Sequence, residues 1–115
     1  MGKNNELGLE GEQLARDYLE QNAWHICACN YRYRRSEIDL IASKNDLMIF
    51  VEVKTRTNTA FGMPEEFVNE NKVENIHKAA VQYIIDIAWQ GQIRFDIIAI
   101  VRKSTTEITH FEDAF

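Results

Sequence analysis

The sequence predicts an α/β fold, a mixed β-sheet flanked by helices with elements in the order α-β-β-β-α-β-β. Three observations carry this prediction. Apolar residues recur at helical spacing over residues 4–21 and again over 72–89. The stretch EIDLIASKNDLMIFVEVKTR, Glu37 to Arg56, alternates with period two yet is largely apolar on both faces. Two further apolar runs follow the second helical stretch. Strands that are apolar on both faces belong in a sheet covered on both sides, and the helices supply the cover.

Asn4 or Asn5 offers a cap for a first helix running to about Gln21, with Leu7, Gly11, Leu14, Ala15, Tyr18 and Leu19 as its apolar stripe. Glycine inside a helix costs about 1 kcal/mol relative to alanine, so Gly8 and Gly11 predict a close approach of this helix to a neighbour. Glu12 lies on the flank of the stripe; helix geometry alone favours an ordinary solvent-facing glutamate, whereas close packing of the helix on the sheet would aim it at a site there. WHICACNYRY then reads as a strand. Its Cys27 and Cys29 stand two apart on one face, poorly placed for a disulfide and without the histidine spacing of a zinc site, so both are expected to pack in the core.

The central hairpin raises a chemical question, because Glu37, Asp39, Glu52 and Lys54 stand where buried strands should be apolar. Glu37, Asp39 and Ile41 share one face of the first strand, opposed by Ile38, Leu40 and Ala42; Met48, Phe50, Glu52 and Lys54 share a face of the second. With Asn45-Asp46 as a two-residue turn, Lys44 pairs with Leu47, Asp39 faces Glu52 and Glu37 faces Lys54. Two carboxylates opposed in a sheet destabilise it unless something positive completes the site, and a divalent cation would do so. A salt-bridged hairpin end is the competing reading, but it rarely interrupts a run as apolar as LMIFVEV.

Beyond the hairpin, TNTAFGMPEEFVNEN holds the only proline, Pro64, and no steady period, so it reads as a loop with a short helical turn beside the site. Lys72 to Trp89 forms the second helix, striped by Val73, Ile76, Ala80, Tyr83, Ile84 and Ile87 and stopped by Gly91. His77 has no partner histidine or cysteine and is read as a helix-surface residue, with a substrate contact as the lesser alternative. Strands at Ile93–Val101 and near Glu107–Phe111 complete the sheet, with Asp96 beside Arg94 read as a structural ion pair.

At 115 residues the chain fits one domain, 1–115. No apolar run approaches the ~20 residues of a membrane span and the start MGKNNELG has no signal-peptide character, so a cytoplasmic protein without membrane contact is expected. The net charge is −5, but its distribution is uneven. Residues 32–56 carry six basic and four acidic side chains, whereas residues 57–115 carry five basic and nine acidic. Arg32, Arg34, Arg35, Lys44, Lys54 and Arg56 can therefore meet phosphates, for which a solvated basic rim is the plainer alternative. No internal repeat, Gly-rich phosphate loop or nucleophilic triad is present.

Asp39, twelve intervening residues and then Glu52-Val53-Lys54 resembles the PD-(D/E)xK motif of restriction-endonuclease-like nucleases, as arranged in archaeal Holliday junction resolvases. More closely, GLEGEQLARDYL, NYRYRRSEIDLI, FVEVKTR, FG-x-P and RFDIIAI are similar to the bacterial YraN family, predicted to be nucleases. Ile38 stands in place of the motif proline, and Ser36 where that family usually has glycine. The resemblance implies a restriction-endonuclease-like sheet and a Mg2+- or Mn2+-dependent nuclease acting on DNA, with a homodimer as a common working unit. Asp39, Glu52, the Val53 carbonyl and, through a first-helix role, Glu12 would serve the metal. Lys54 would be catalytic, and Arg32, Arg34, Arg35 and Arg56 would meet the nucleic acid. The alternative function is a non-catalytic nucleic-acid-binding module within a repair or recombination assembly.

Overall fold

The computed structural model describes residues 3–57 and 69–115, with side chains from Gly8 onward. Its described elements follow the predicted order: α1 Lys3–Gln21, β1 His25–Tyr33, β2 Ser36–Lys44, β3 Leu47–Arg56, α2 Glu70–Ile87, β4 Gln92–Arg102 and β5 Thr106–Phe111. The loop and helical turn expected around Pro64 lie outside the described residues. The five strands form one sheet in the order β1-β2-β3-β4-β5, in which β3 and β4 run parallel and every other pair antiparallel. None of the described helices is long and apolar enough to cross a membrane.

The two apolar faces of the hairpin are covered as their pattern requires. On one face Leu40, Ala42, Ile49, Val51, Ile98 and Ile100 pack with Ala15 and Leu19 of α1. On the other, Ile38, Ile41, Met48 and Phe50 pack with Ile76, Ala79 and Ala80 of α2. Each fully buried Leu, Ile or Phe contributes about 1.5–3 kcal/mol, so these two layers hold the sheet between its helices. Strict alternation would put Ile38 and Ile41 on opposite faces. Both pack under α2, so β2 departs from regular pleating between them, at the position of Asp39.

Turn chemistry sets the register. Asn45 adopts φ 54°, Lys44 pairs with Leu47, and the ladder runs outward to Leu40↔Val51 as the sequence predicts. Asn4 and Asn5 lie within the first turn of α1 instead of capping it. Helix α2 is capped by Asn69, whose Oδ1 accepts from the Lys72 N–H at 2.9 Å. It ends at Ile87, short of Gly91, because Ala88 takes the left-handed conformation at φ 54°. Gly91 serves a different purpose: a Cβ there would lie 2.5 Å from the Asp46 carbonyl oxygen, so only glycine lets the chain pass the β2–β3 turn.

Gly11 is buried where α1 crosses β3, and a Cβ on it would collide with the Thr55 Oγ1. Gly8 meets nothing within 4 Å, so the close approach rests on Gly11 alone. Replacing Gly11 with alanine gains about 1 kcal/mol of helix propensity but overpacks the contact by about 1–3 kcal/mol. Gly11→Ala is therefore expected to destabilise the protein by up to about 2 kcal/mol in urea unfolding, and Gly11→Ala/Thr55→Ala to recover most of that loss. An equal loss in the double variant would place the strain elsewhere.

Asp96 is fully buried and is an ion pair as expected, with more partners than Arg94 alone. Its Oδ1 and Oδ2 accept from Arg94 at 2.8 and 2.9 Å, His110 Nε2 lies 2.7 Å from Oδ2, and the Asp113 N–H donates at 3.0 Å. Burial works against this carboxylate, but the bonds to His110, Arg94 and Asp113 prevail and hold its pKa below the ordinary value. It ties β5 and the C-terminal residues to β4. His77 is only partly at the helix surface: it is half-buried, its ring lies 4.2 Å from that of Phe95, and its Nε2 is buried without a hydrogen-bond partner among the described residues. Cys27 packs against the α2-side cluster, whereas Cys29 is exposed, because β1 shifts register between Ile26 and Ala28.

Candidate active site where the central strands part

Hydrogen-bonded pairing between β2 and β3 stops at Leu40↔Val51. Across β2, the ladder with β1 runs Cys29↔Leu40 and then Tyr31↔Ile38, with no rung for Asn30 and Asp39 among the described residues. Asn30 has φ 53°, which interrupts the extended conformation of β1 at that residue. Asp39 sits between these two breaks and its Oδ2 accepts from the Val53 N–H at 2.8 Å. A side chain thus takes a main-chain donor beyond the last rung, and the strands part around it.

The parting opens a cleft of about 350 Å³, bounded by Glu12 of α1, Asp39 of β2, and Glu52, Val53, Lys54 and Arg56 of β3. It lies at the C-terminal end of the parallel pair β3 and β4, where α/β sheets commonly place their ligands. All four residues predicted to serve a metal line it, as does Lys54. Glu52 is 6% exposed. Its Oε1 lies 3.0 Å from Lys72 Nζ and 3.7 Å from Lys54 Nζ. Its Oε2 is buried and has no hydrogen-bond partner among the described residues, a condition that ordinarily costs about 1–3 kcal/mol.

The electrostatics follow from burial. Desolvation, and after it the neighbouring Glu52, push the Asp39 carboxyl from 3.8 up to about 8, against the pull of the Val53 N–H. Burial raises Glu12 as well; the Asn30 side chain partly offsets it, and Glu37 and Glu52 add to it. Lys54 is lowered, chiefly by burial and further by Lys72 and Arg56, although Glu52 opposes this. Burial also works against the Lys72 ammonium, but Glu52 beside it prevails and raises its pKa. Burial and mutual repulsion therefore favour a proton on the metal-free acid pair, with Asp39 as the more basic carboxyl.

Not every expected neighbour arrives. Glu37 does not face Lys54: it pairs with Arg32 on β1, at 3.2 Å, because the β2–β3 ladder has ended before it is reached. Arg34 and Arg35 form the β1–β2 turn, with the Arg34 guanidinium 5.3 Å from the Tyr33 ring centre. They share the sheet end with the cleft but do not line it; Arg56 does, and its Nη1 donates to the Thr55 carbonyl at 2.8 Å. Lys44 lies at the opposite end, on the Asn22 carbonyl at 2.9 Å and over the Trp24 ring. Among the described residues no three His, Cys, Asp or Glu side chains make a ready ligand set, although Glu12 lines the same cleft as the Asp39–Glu52 pair and feels its charge.

Two residues of the site escaped the sequence reading. Lys72 was only the first residue of a predicted helix, and twenty positions separate it from Glu52, so no local spacing links them. Asn30, beside Glu12, looked like any polar strand residue. Its one trace in the sequence is that asparagine tolerates positive φ better than most residues.

The model of the "Uncharacterised protein family UPF0102" matches residues 11–100. A UPF0102 protein of Christiangramia forsetii is 41% identical over 116 residues, covering 100% of this chain and 98% of the relative. UPF0102 protein FP2501 of Flavobacterium psychrophilum is 40% identical with the same coverage, and a UPF0102 protein of Syntrophomonas wolfei is 42% identical over 97% of this chain and 99% of its own. The chain belongs to the UPF0102 family, the YraN family that its motifs resemble.

Proposed function

We propose that the protein is a metal-dependent nuclease, using Mg2+ or Mn2+ to hydrolyse DNA phosphodiester bonds in the cytoplasm, on branched or otherwise structured DNA in repair or recombination. The observation that carries this reading is the pair of adjacent carboxyl groups, Glu52 buried and Asp39 half-buried, whose burial and mutual repulsion favour a shared proton in the absence of an ion, with Lys54 at the same carboxylate. An all-oxygen donor pair fits a hard divalent cation, which would take the place of the Asp39 proton and satisfy Oε2. Asp39 and Glu52 would hold it with the Val53 carbonyl and water, and Glu12 would reach it through water. The bound ion supplies an acidified water and offsets charge that develops on the phosphate oxygens. Lys54, only 13% exposed, orients that water or takes up the same charge. Arg56 binds a phosphate at the rim, and Arg32, Arg34 and Arg35 continue the positive end of the sheet toward flanking phosphates. A homodimer would present two such clefts to a branched substrate.

A second reading has an observation of its own. Lys54 and Lys72 already balance the Glu52 charge, so the acid pair can stand without an ion in a non-catalytic nucleic-acid-binding module. Labelled four-way junctions, flaps, nicked duplexes, single strands and RNA hairpins, each with Mn2+ or a chelator, separate the two. Cleavage is expected with Mn2+ only, and Glu52→Gln is expected to reduce it at least a hundredfold. Binding of these structures without any Mn2+-dependent cleavage would favour the module.

A further inference from the structure

We propose that Lys72 is a displaceable counter-ion of the site: it neutralises Glu52 while the divalent ion is absent and passes to a substrate phosphate when the ion takes that carboxylate. The proposal rests on the metal-dependent reading above.

The two lysines at Glu52 are held differently. Lys54 projects from β3 and is 13% exposed, whereas Lys72 reaches Glu52 from the first turn of α2 and is 38% exposed. The backbone of Lys72 is fixed by the Asn69 cap at 2.9 Å, so only its flexible four-carbon stem has to move. Without an ion, the Glu52 carboxylate serves two ammonium groups, Lys72 at 3.0 Å and Lys54 at 3.7 Å. A divalent cation held by the same carboxylate would add two positive charges beside them, which repel both lysines at close range. The more exposed lysine gives way. Loss of the Glu52 Oε1 contact at 3.0 Å frees an ammonium that lies beside the cleft, next to Glu52 of its lining. A phosphodiester entering there offers the anionic oxygens that the carboxylate no longer provides. Metal and Lys72 thus compete for one carboxylate, while Lys72 and nucleic acid cooperate.

The experiment is calorimetric titration of Mn2+ into the full chain and into Lys72→Met and Lys72→Arg. Lys72→Met keeps the stem and removes the charge, and is expected to bind Mn2+ about three- to tenfold more tightly. Its affinity for a DNA junction in Ca2+ is expected to fall severalfold, with the salt dependence of binding flattened by about one unit of slope. Lys72→Arg should remain near wild type in salt dependence. A second measurement needs no variant: on reductively methylated protein, the Lys72 carbon resonance is expected to move when Mg2+ saturates the site. Unchanged Mn2+ affinity in Lys72→Met, or an unmoved Lys72 resonance at saturating Mg2+, would overturn the exchange while leaving the metal site standing. If wild type takes up no Mn2+, the metal reading itself falls and the exchange with it.

Discussion

Lys54→Ala is expected to lower phosphodiester cleavage at saturating DNA by a factor of about 10²–10⁴, the range for losing a positioned proton-transfer or charge-stabilising group. Metal affinity should hold or tighten, because a cation near the ion's position is removed. The fold should survive, since Glu52 keeps Lys72 at 3.0 Å. Lys54→Arg should restore little activity, as a planar guanidinium does not fit a point-charge position that is 13% exposed. Burial and the adjacent Lys72 lower the Lys54 pKa, so activity should decline on the alkaline side before an ordinary lysine would titrate. Arg56→Ala should act differently, raising the DNA concentration required and flattening its salt dependence by about one unit of slope without changing the saturated rate. Rates and affinities measured at several salt concentrations check both variants. Wild-type cleavage by Lys54→Ala would remove Lys54 from the chemistry.

Asp39→Asn is expected to stabilise the metal-free protein at pH 8 by several kcal/mol, on the order of 5, while abolishing tight Mn2+ binding. The Asp39 carboxyl has 3.8 as its ordinary value and about 8 in the folded chain, so the folded state binds its proton more tightly than the unfolded state. Its stabilising contribution is fully present below about pH 4 and is lost as pH rises toward 8. Asparagine does not titrate and still offers an oxygen to the Val53 N–H, so the gap between variant and wild type should open from pH 4 to pH 8. Saturating Mn2+ should close it, because an ion that binds only the folded wild type stabilises that protein alone. Urea unfolding across this pH range, with and without Mn2+, provides the check. Parallel pH profiles would mean that Asp39 is ionised throughout, and equal Mn2+ affinity in the two proteins would put the ion elsewhere.

Much of the frame is local and was therefore legible in the residues. A two-residue Asn-Asp turn leaves the hairpin one register, so the approach of Asp39 to Glu52 follows from counting outward from Lys44 and Leu47. Helical period located both covers of the sheet, and Gly11 announced the crossing with β3 before Thr55 could be named as its partner. The acid pair and Lys54 stood out because charges interrupt strands whose neighbours are apolar on both faces.

What escaped the sequence depends on contacts between elements far apart in the chain. Counting rungs past Leu40↔Val51 assigned Glu37 to Lys54, but Asp39 takes the Val53 N–H, the strands part, and Glu37 finds Arg32 instead. His77 and Asp96 acquire their surroundings from Phe95 and His110, which no spacing rule connects to them. Period and turn chemistry, acting within a few residues, determined the strands, the register and the identity of the acids. Only the packing of α2 against the sheet decided that Lys72 meets Glu52, because an ion pair across twenty residues exists solely where the fold brings its two ends within about 3 Å.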